Sequence, residues 1–247
     1  MNGLRLAFSW LTVLPISGPG SVDRDTSGRA IRLVPLTGVA LGTAAAGLLW
    51  LLVSAGFTPL LAGLLTVAAL ALASRGMHID GLADTFDGLG CYGPPERARE
   101  VMRSGGAGPF GVAAIAVSIG VQAISFGVLA TAGAWLAVAV AVTAGRVAVV
   151  IACRRGTPAA TDTGFGALVA DTQPLWIGIA WTAPLLAVAT WSTDRSWLGP
   201  VAVVLALAGS VLLVRHCVRR FGGLSGDVLG ATIEVSVAVT ACVLSAS

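Results

Sequence analysis

Apolar residues fall into seven runs of spanning length, at 34–53, 57–74, 112–131, 134–152, 174–191, 198–214 and 228–245. A helix crossing the hydrocarbon core needs about 20 such residues, so the pattern predicts an all-α polytopic integral membrane protein of about seven transmembrane helices. Two joints, Ser54 to Gly56 and Ala132–Gly133, are short and uncharged. They predict tight helical hairpins. The other joints, 75–111, 154–173, 192–197 and 215–227, are longer and polar. No linker or fixed-period repeat divides residues 1–247, so a single transmembrane helical domain is expected.

Composition agrees with the pattern: of 247 residues, 56% are apolar and only 11% carry charge, against about 25% in soluble domains. A mean hydropathy of +0.89 spread along the chain sets a soluble two-domain protein aside. All 15 basic residues are Arg. If the N-terminus is cytoplasmic, Arg5, Arg24, Arg29, Arg32, Arg75, Arg97, Arg99, Arg103, Arg154, Arg155, Arg215, Arg219 and Arg220 share the inner side. Arg195 alone lies outside, and Arg146 falls within a span. The acidic residues follow the same division, with only Asp194 outside. Every substantial polar loop then faces one compartment, which suits an enzyme better than a channel or transporter with groups distributed through the membrane depth.

The net charge of +3 and the isoelectric point near 9.0 fit anionic lipid or phosphorylated substrates. Cys91, Cys153, Cys217 and Cys242 are widely separated, without a C-x-x-C pair, and are expected to be free thiols. The stretch Leu4–Ile16 weakly imitates a signal peptide; Pro15, Gly18, Pro19 and Gly20 after it favour a short interfacial helix. Six tryptophans, Trp50, Trp135, Trp176, Trp181, Trp191 and Trp197, sit near span ends, as an aromatic belt requires.

The densest chemistry is in Gly76–Gly90, which holds Asp80, Asp84 and Asp87. At 100° per residue the three fall within about 60° of one helical face. Like charges so close call for a cation, and oxygen-only ligands indicate Mg²⁺ or Mn²⁺. Capping of helices or turns is the structural alternative. His78 stands beside them as ligand, base or orienting neighbour. A second acidic pair, Asp227 and Glu234, opens the last span seven residues apart on one face, with Glu234 about 10 Å deeper. A carboxylate at that depth needs a partner: Arg146 at similar depth, or a metal shared with the aspartates. Arg29 and Arg32, and the turn from Met102 to Gly111 with Arg103 and Gly108, could cradle phosphate. Arg and Gly at a span entrance also serve as anchors and bends. Carboxylates with Mg²⁺ beside arginines suggest transfer of a phosphate group between alcohols, with an Asp or His taking the proton.

Four segments resemble the cobalamin synthase (adenosylcobinamide-GDP ribazoletransferase) family: HIDGLADTFDG at 78–88, Arg29-x-x-Arg32-x-x-Pro35-Leu36-x-Gly38-x-x-x-Gly42, M-R-x-x-x-x-G-P-F-G at 102–111, and S-G-D-x-L-G-A-x-I-E at 225–234. They occur in the family's order along nearly the whole chain. The resemblance implies a Mg²⁺-dependent enzyme of the bacterial cytoplasmic (inner) membrane, with its active site facing the cytoplasm. Adenosylcobinamide-GDP would be joined to alpha-ribazole or its 5'-phosphate, with GMP released. It implies His78, Asp84 and Asp227 as catalytic, Asp80, Asp84, Asp87, Asp227 and Glu234 as metal ligands, and Arg29, Arg32, Arg103 and Gly108 as substrate-binding; Arg146, within a span, joins the substrate-binding candidates from its depth alone. The expected partners are those small molecules and the lipid bilayer, with no nucleic acid; self-association stays open. The chain departs from the family at Ser104–Gly106, where members often carry an acidic residue. Alternatives are a CDP-alcohol phosphotransferase, whose D-G-x-x-A-R continuation is absent here, and a cation-coupled transporter.

Overall fold

A computed structural model of the protein describes all residues except Met1, Pro19 and Ser247. Of the expected stop after the N-terminal helix, Pro19 therefore lies outside the described residues. The described chain is helical, and its only extended pairings are isolated bridges, Arg154 with Gln173 and Ala159 with Leu224.

Each of the seven apolar runs is a helix. They are α2 (Arg24–Ser54), α3 (Pro59–Ala73), α6 (Pro109–Thr131), α7 (Trp135–Ala152), α9 (Leu175–Ala189), α10 (Leu198–Phe221) and α11 (Gly226–Leu244). Four shorter helices, α1 (Asn2–Leu11), α4 (Met77–Gly90), α5 (Pro95–Met102) and α8 (Gly164–Val169), occupy what reads as loop or interface. Among the described residues α2, α6, α7, α10 and α11 are long and apolar enough to cross alone. Helix α9 and helix α3 have 15 residues each, about 22 Å at 1.5 Å per residue, short of a hydrocarbon core about 30 Å thick. Helix α3 continues into α4 only after a 92° bend.

That bend has a local cause. Arg75 and Gly76 both adopt left-handed backbone angles, φ 56° and 72°. Such a conformation strains a residue with a Cβ, and here the Arg75 guanidinium bonds the carbonyls of Ser9 and Trp10, each at 2.9 Å. The turn thus both redirects the chain and ties down α1. Helix α4 then lies across the ends of its neighbours. A Cβ on Gly81 would stand 2.8 Å from Asp227 Cα at the start of α11, and one on Gly230 would stand 3.2 Å from His78 Cα.

Small residues set the spacing of the bundle. A Cβ at Gly38 would lie 3.0 Å from Thr143 Cα, and one at Gly42 would lie 2.8 Å from the Ala139 carbonyl. The expected G-x-x-x-G contact therefore joins α2 to α7. Gly63 and Gly127 do the same for α3 and α6, each against the other helix's backbone. Helix α7 is the most enclosed span, walled by α2, α9, α10 and α11.

The starts and ends carrying arginine gather at one end of the bundle. Arg24 bonds the Ala167 and Ala170 carbonyls at the end of α8, and Arg99 and Arg220 tie α5 and the Cys91 carbonyl to the end of α10. There Asp23 caps α2 through the Thr26 amide at 2.7 Å, which holds its carboxyl below the usual range. All four cysteines are free thiols, as their spacing predicts.

Candidate active site

Where α4 crosses α11, the chain brings Asp80, Asp84 and Asp227 together. Gly81 allows this approach, since any larger side chain would meet the Asp227 backbone. The crowding registers at Asp84, whose carboxyl is raised to about 6 by burial first and then by the charges of Asp80, Asp227 and Asp87. Of the three aspartates predicted to share one helical face, Asp80 and Asp84 lie beside the start of the last span, and the third turns to α6.

Asp87 is differently engaged. It is buried and accepts the Gly108 amide on one oxygen at 2.6 Å and the Gly111 amide on the other at 2.9 Å. Gly108 precedes α6 and Pro109 opens it, so Asp87 caps that helix from another element. A Cβ at Gly108 would stand 2.6 Å from the carboxylate. The glycine turn does cradle an anion, and the anion is a side chain of this protein.

His78 lies between the two acidic groups, buried, with Nδ1 3.9 Å from Glu234 Oε1 and neither ring nitrogen hydrogen-bonded. Glu234 itself belongs to the interior. It accepts Gln122 Nε2 at 2.8 Å, and Gln122 also donates to Ser118 at 3.0 Å. Arg146 shares a small cavity with Glu234 and Gln122, its Nη1 donating to the Val142 carbonyl at 3.3 Å and its Nε unpartnered. Of the two partners expected for Glu234, Arg146 shares its cavity without an ion-pair contact among the described residues, and the group bonded to Glu234 is Gln122.

The arginines separate likewise. Arg29 pairs with Asp25 at 3.0 Å on an exposed surface. Arg32 keeps a buried, unpartnered Nε, while its carbonyl accepts Trp181 Nε1 at 2.7 Å. Arg103 is exposed, donates Nε to the Arg99 carbonyl at 3.2 Å, and lines a cavity with Asp227.

Two cavities meet at Asp227. One, of about 380 Å³, is walled by Trp10, Ile31, His78, Asp80, Phe165 and Asp227 among others. The other, of about 260 Å³, is walled by Arg99, Arg103, Thr161, Thr163, Ser225 and Asp227 among others. An acidic cluster flanked by two cavities suits the joining of two molecules.

The sequence matches the family described as cobalamin-5-phosphate synthase over residues 3–245. The chain belongs to that family. A Corynebacterium efficiens adenosylcobinamide-GDP ribazoletransferase is 40% identical over 97% of this chain and 90% of its own length. A Nocardioides enzyme of the same name is 41% identical over 96% and 95%, and one from Clostridium acetobutylicum 30% identical over 94% and 91%. No solved structure matches the chain.

For this cobalamin-5-phosphate synthase family member, sequence reading missed Trp10, Phe165, Thr161 and Thr163 as cavity walls and Gln122 as the partner of Glu234. Gln122 carried a signal, a primary amide inside an apolar run. Trp10 and Phe165 carried none, since 155 positions separate two rings whose centroids lie 4.9 Å apart.

Proposed function

We propose that this protein joins adenosylcobinamide-GDP to alpha-ribazole, or to its 5'-phosphate, and releases GMP. One observation carries the reading: the acidic motif and the start of the last span, which the family match covers, meet where two cavities meet. A ribose hydroxyl oxygen of the ribazole forms a bond to the phosphorus bearing the cobinamide. The bond from that phosphorus to the bridging oxygen breaks, and GMP leaves with the oxygen and its electron pair. The hydroxyl proton passes to a carboxylate of the cluster, with Asp227 best placed because it faces both cavities. His78, beside Asp80 in the first cavity, orients the hydroxyl.

Mg²⁺ is the cation of this reading, because the donors are hard carboxylate oxygens. Among the described residues no three acidic, His or Cys groups converge on one ion. That arrangement fits Mg²⁺, which is commonly held by one or two carboxylates together with substrate phosphates and water. One or two carboxylates of the group Asp80, Asp84 and Asp227 would hold it together with the substrate phosphates, and when bound it would neutralise charge on the diphosphate. Asp87 and Glu234 act at a distance, one capping α6 and the other bonded within the bundle. We further propose the bacterial inner membrane and a cytoplasmic site, on the strength of the arginine distribution.

The test is GMP release from adenosylcobinamide-GDP by the purified, solubilised chain. Release that depends on ribazole and matches product one to one supports the reading. Passage of substrate into sealed vesicles without GMP release would replace it with transport. Asp84→Asn should abolish turnover and still insert in the membrane; full turnover by that variant removes the metal-bound cluster from the mechanism.

A further inference from the structure

A transfer between two bound molecules needs two binding sites whose reacting atoms come within bonding reach of one shared group. Asp227 is that shared group, the first turn of α11 forming the partition between the cavities. Their walls differ in kind. On the first side Trp10 and Phe165 meet edge to face, backed by Ile31, Leu229 and Ile233, and the Arg75 guanidinium is committed to the Ser9 and Trp10 carbonyls. On the second side stand two arginines and three hydroxyl residues. Arg99 is committed to the Phe221 carbonyl and to Glu96, whereas among the described residues the terminal nitrogens of Arg103 have no partner.

We infer that the two cavities divide the substrates by polarity: the aromatic cavity takes the apolar base of the incoming nucleoside, and the arginine cavity takes the diphosphate of the nucleotide-activated one. A flat, uncharged base gains from aromatic edges and aliphatic walls. A diphosphate gains from a free guanidinium fork and from hydroxyl donors. The volume of about 380 Å³ is at the lower end for ligand pockets and suits a nucleoside. With the base on one side and the diphosphate on the other, hydroxyl and phosphorus meet at Asp227. Phe165 and Trp10 thereby set specificity for the nucleoside, and Arg103 for the activated partner. This inference rests on the transferase reading above.

The experiment varies each substrate in turn on the full chain in detergent, reading GMP release. Phe165→Ala should raise KM for ribazole about tenfold, the loss of one aromatic contact and its buried area, and leave KM for adenosylcobinamide-GDP within about twofold. Arg103→Ala should do the reverse, with partial recovery in Arg103→Lys, which restores charge without the fork. Equilibrium binding of GMP alone should weaken in Arg103→Ala and be unchanged in Phe165→Ala. Should Phe165→Ala fail to fold, Trp10→Leu and Phe165→Leu keep most of the packed volume and carry the same expectation. Equal rises in both KM values for both variants, or a crossed pattern, overturn the division of the cavities. No GMP release by the unaltered protein overturns the transferase reading instead, so the two failures are distinct.

Discussion

Two aspartates three residues apart on α4 show how alike sequence positions acquire different work. Asp87 satisfies two backbone amides at the start of α6. In Asp87→Ala those donors lose their acceptor in a buried place, a cost of about 1–3 kcal/mol. Thermal unfolding in detergent at neutral pH should show Asp87→Ala well below the unaltered protein, and Asp84→Asn at or above it, since Asn removes the buried like charge. The Asp84 carboxyl, raised to about 6 from 3.8, gives a pH signature of opposite sign to an ordinary paired carboxylate. Between those values the folded chain holds the proton more tightly than the unfolded one, so in chelator the Asp84 contribution to stability falls as pH rises through about 6. Unfolding midpoints measured from pH 4 to 7 should carry this slope, and Asp84→Asn should lose it. Helical spacing made all three aspartates legible as one face. It could not show that Asp87 meets glycine amides 21 and 24 positions later, because that depends on where α6 begins in space.

Among elements, the seven apolar runs were readable because a span must be apolar along its whole length. What stayed hidden is direction: nothing in local periodicity turns α4 by 92° from α3, and the left-handed Arg75 bonds carbonyls of α1, 65 and 66 positions away. Contact between helices was partly visible, since Gly38 and Gly42 mark a close approach, though not that α7 is the partner. That pairing predicts a contrast within α2. Gly42→Val places side-chain carbon within about 2.8 Å of the Ala139 carbonyl and should cost about 1–3 kcal/mol by overpacking. Gly47→Ala, with nothing within 4 Å, should be neutral or stabilise by up to about 1 kcal/mol. Unfolding in mixed detergent distinguishes them, and equal destabilisation would remove the packing account.

For the whole molecule, charge is the organising quantity. Arginine at one end of the bundle accompanies the acidic cluster, both cavities and the three short helices α4, α5 and α8. The same rule that anchors the spans therefore decides which compartment supplies the substrates. The native cysteines provide the test. Cys153 and Cys217 are buried, and burial pushes the thiol of Cys153, just past the end of α7, well up, so neither offers a reactive thiolate. Cys91 is partly exposed at the end of α4, on the same side as the cluster. A membrane-impermeant maleimide should label Cys91 in inverted inner-membrane vesicles and leave it untouched in right-side-out ones, with Cys91→Ser as the control. Labelling only from the outer side would turn the protein over, and the transferase would then need its nucleotide-activated substrate delivered across the membrane. With Cys91 inside, the cluster, the diphosphate cavity and the nucleotide pool share one compartment, and the spans serve to hold the short helices of the site together.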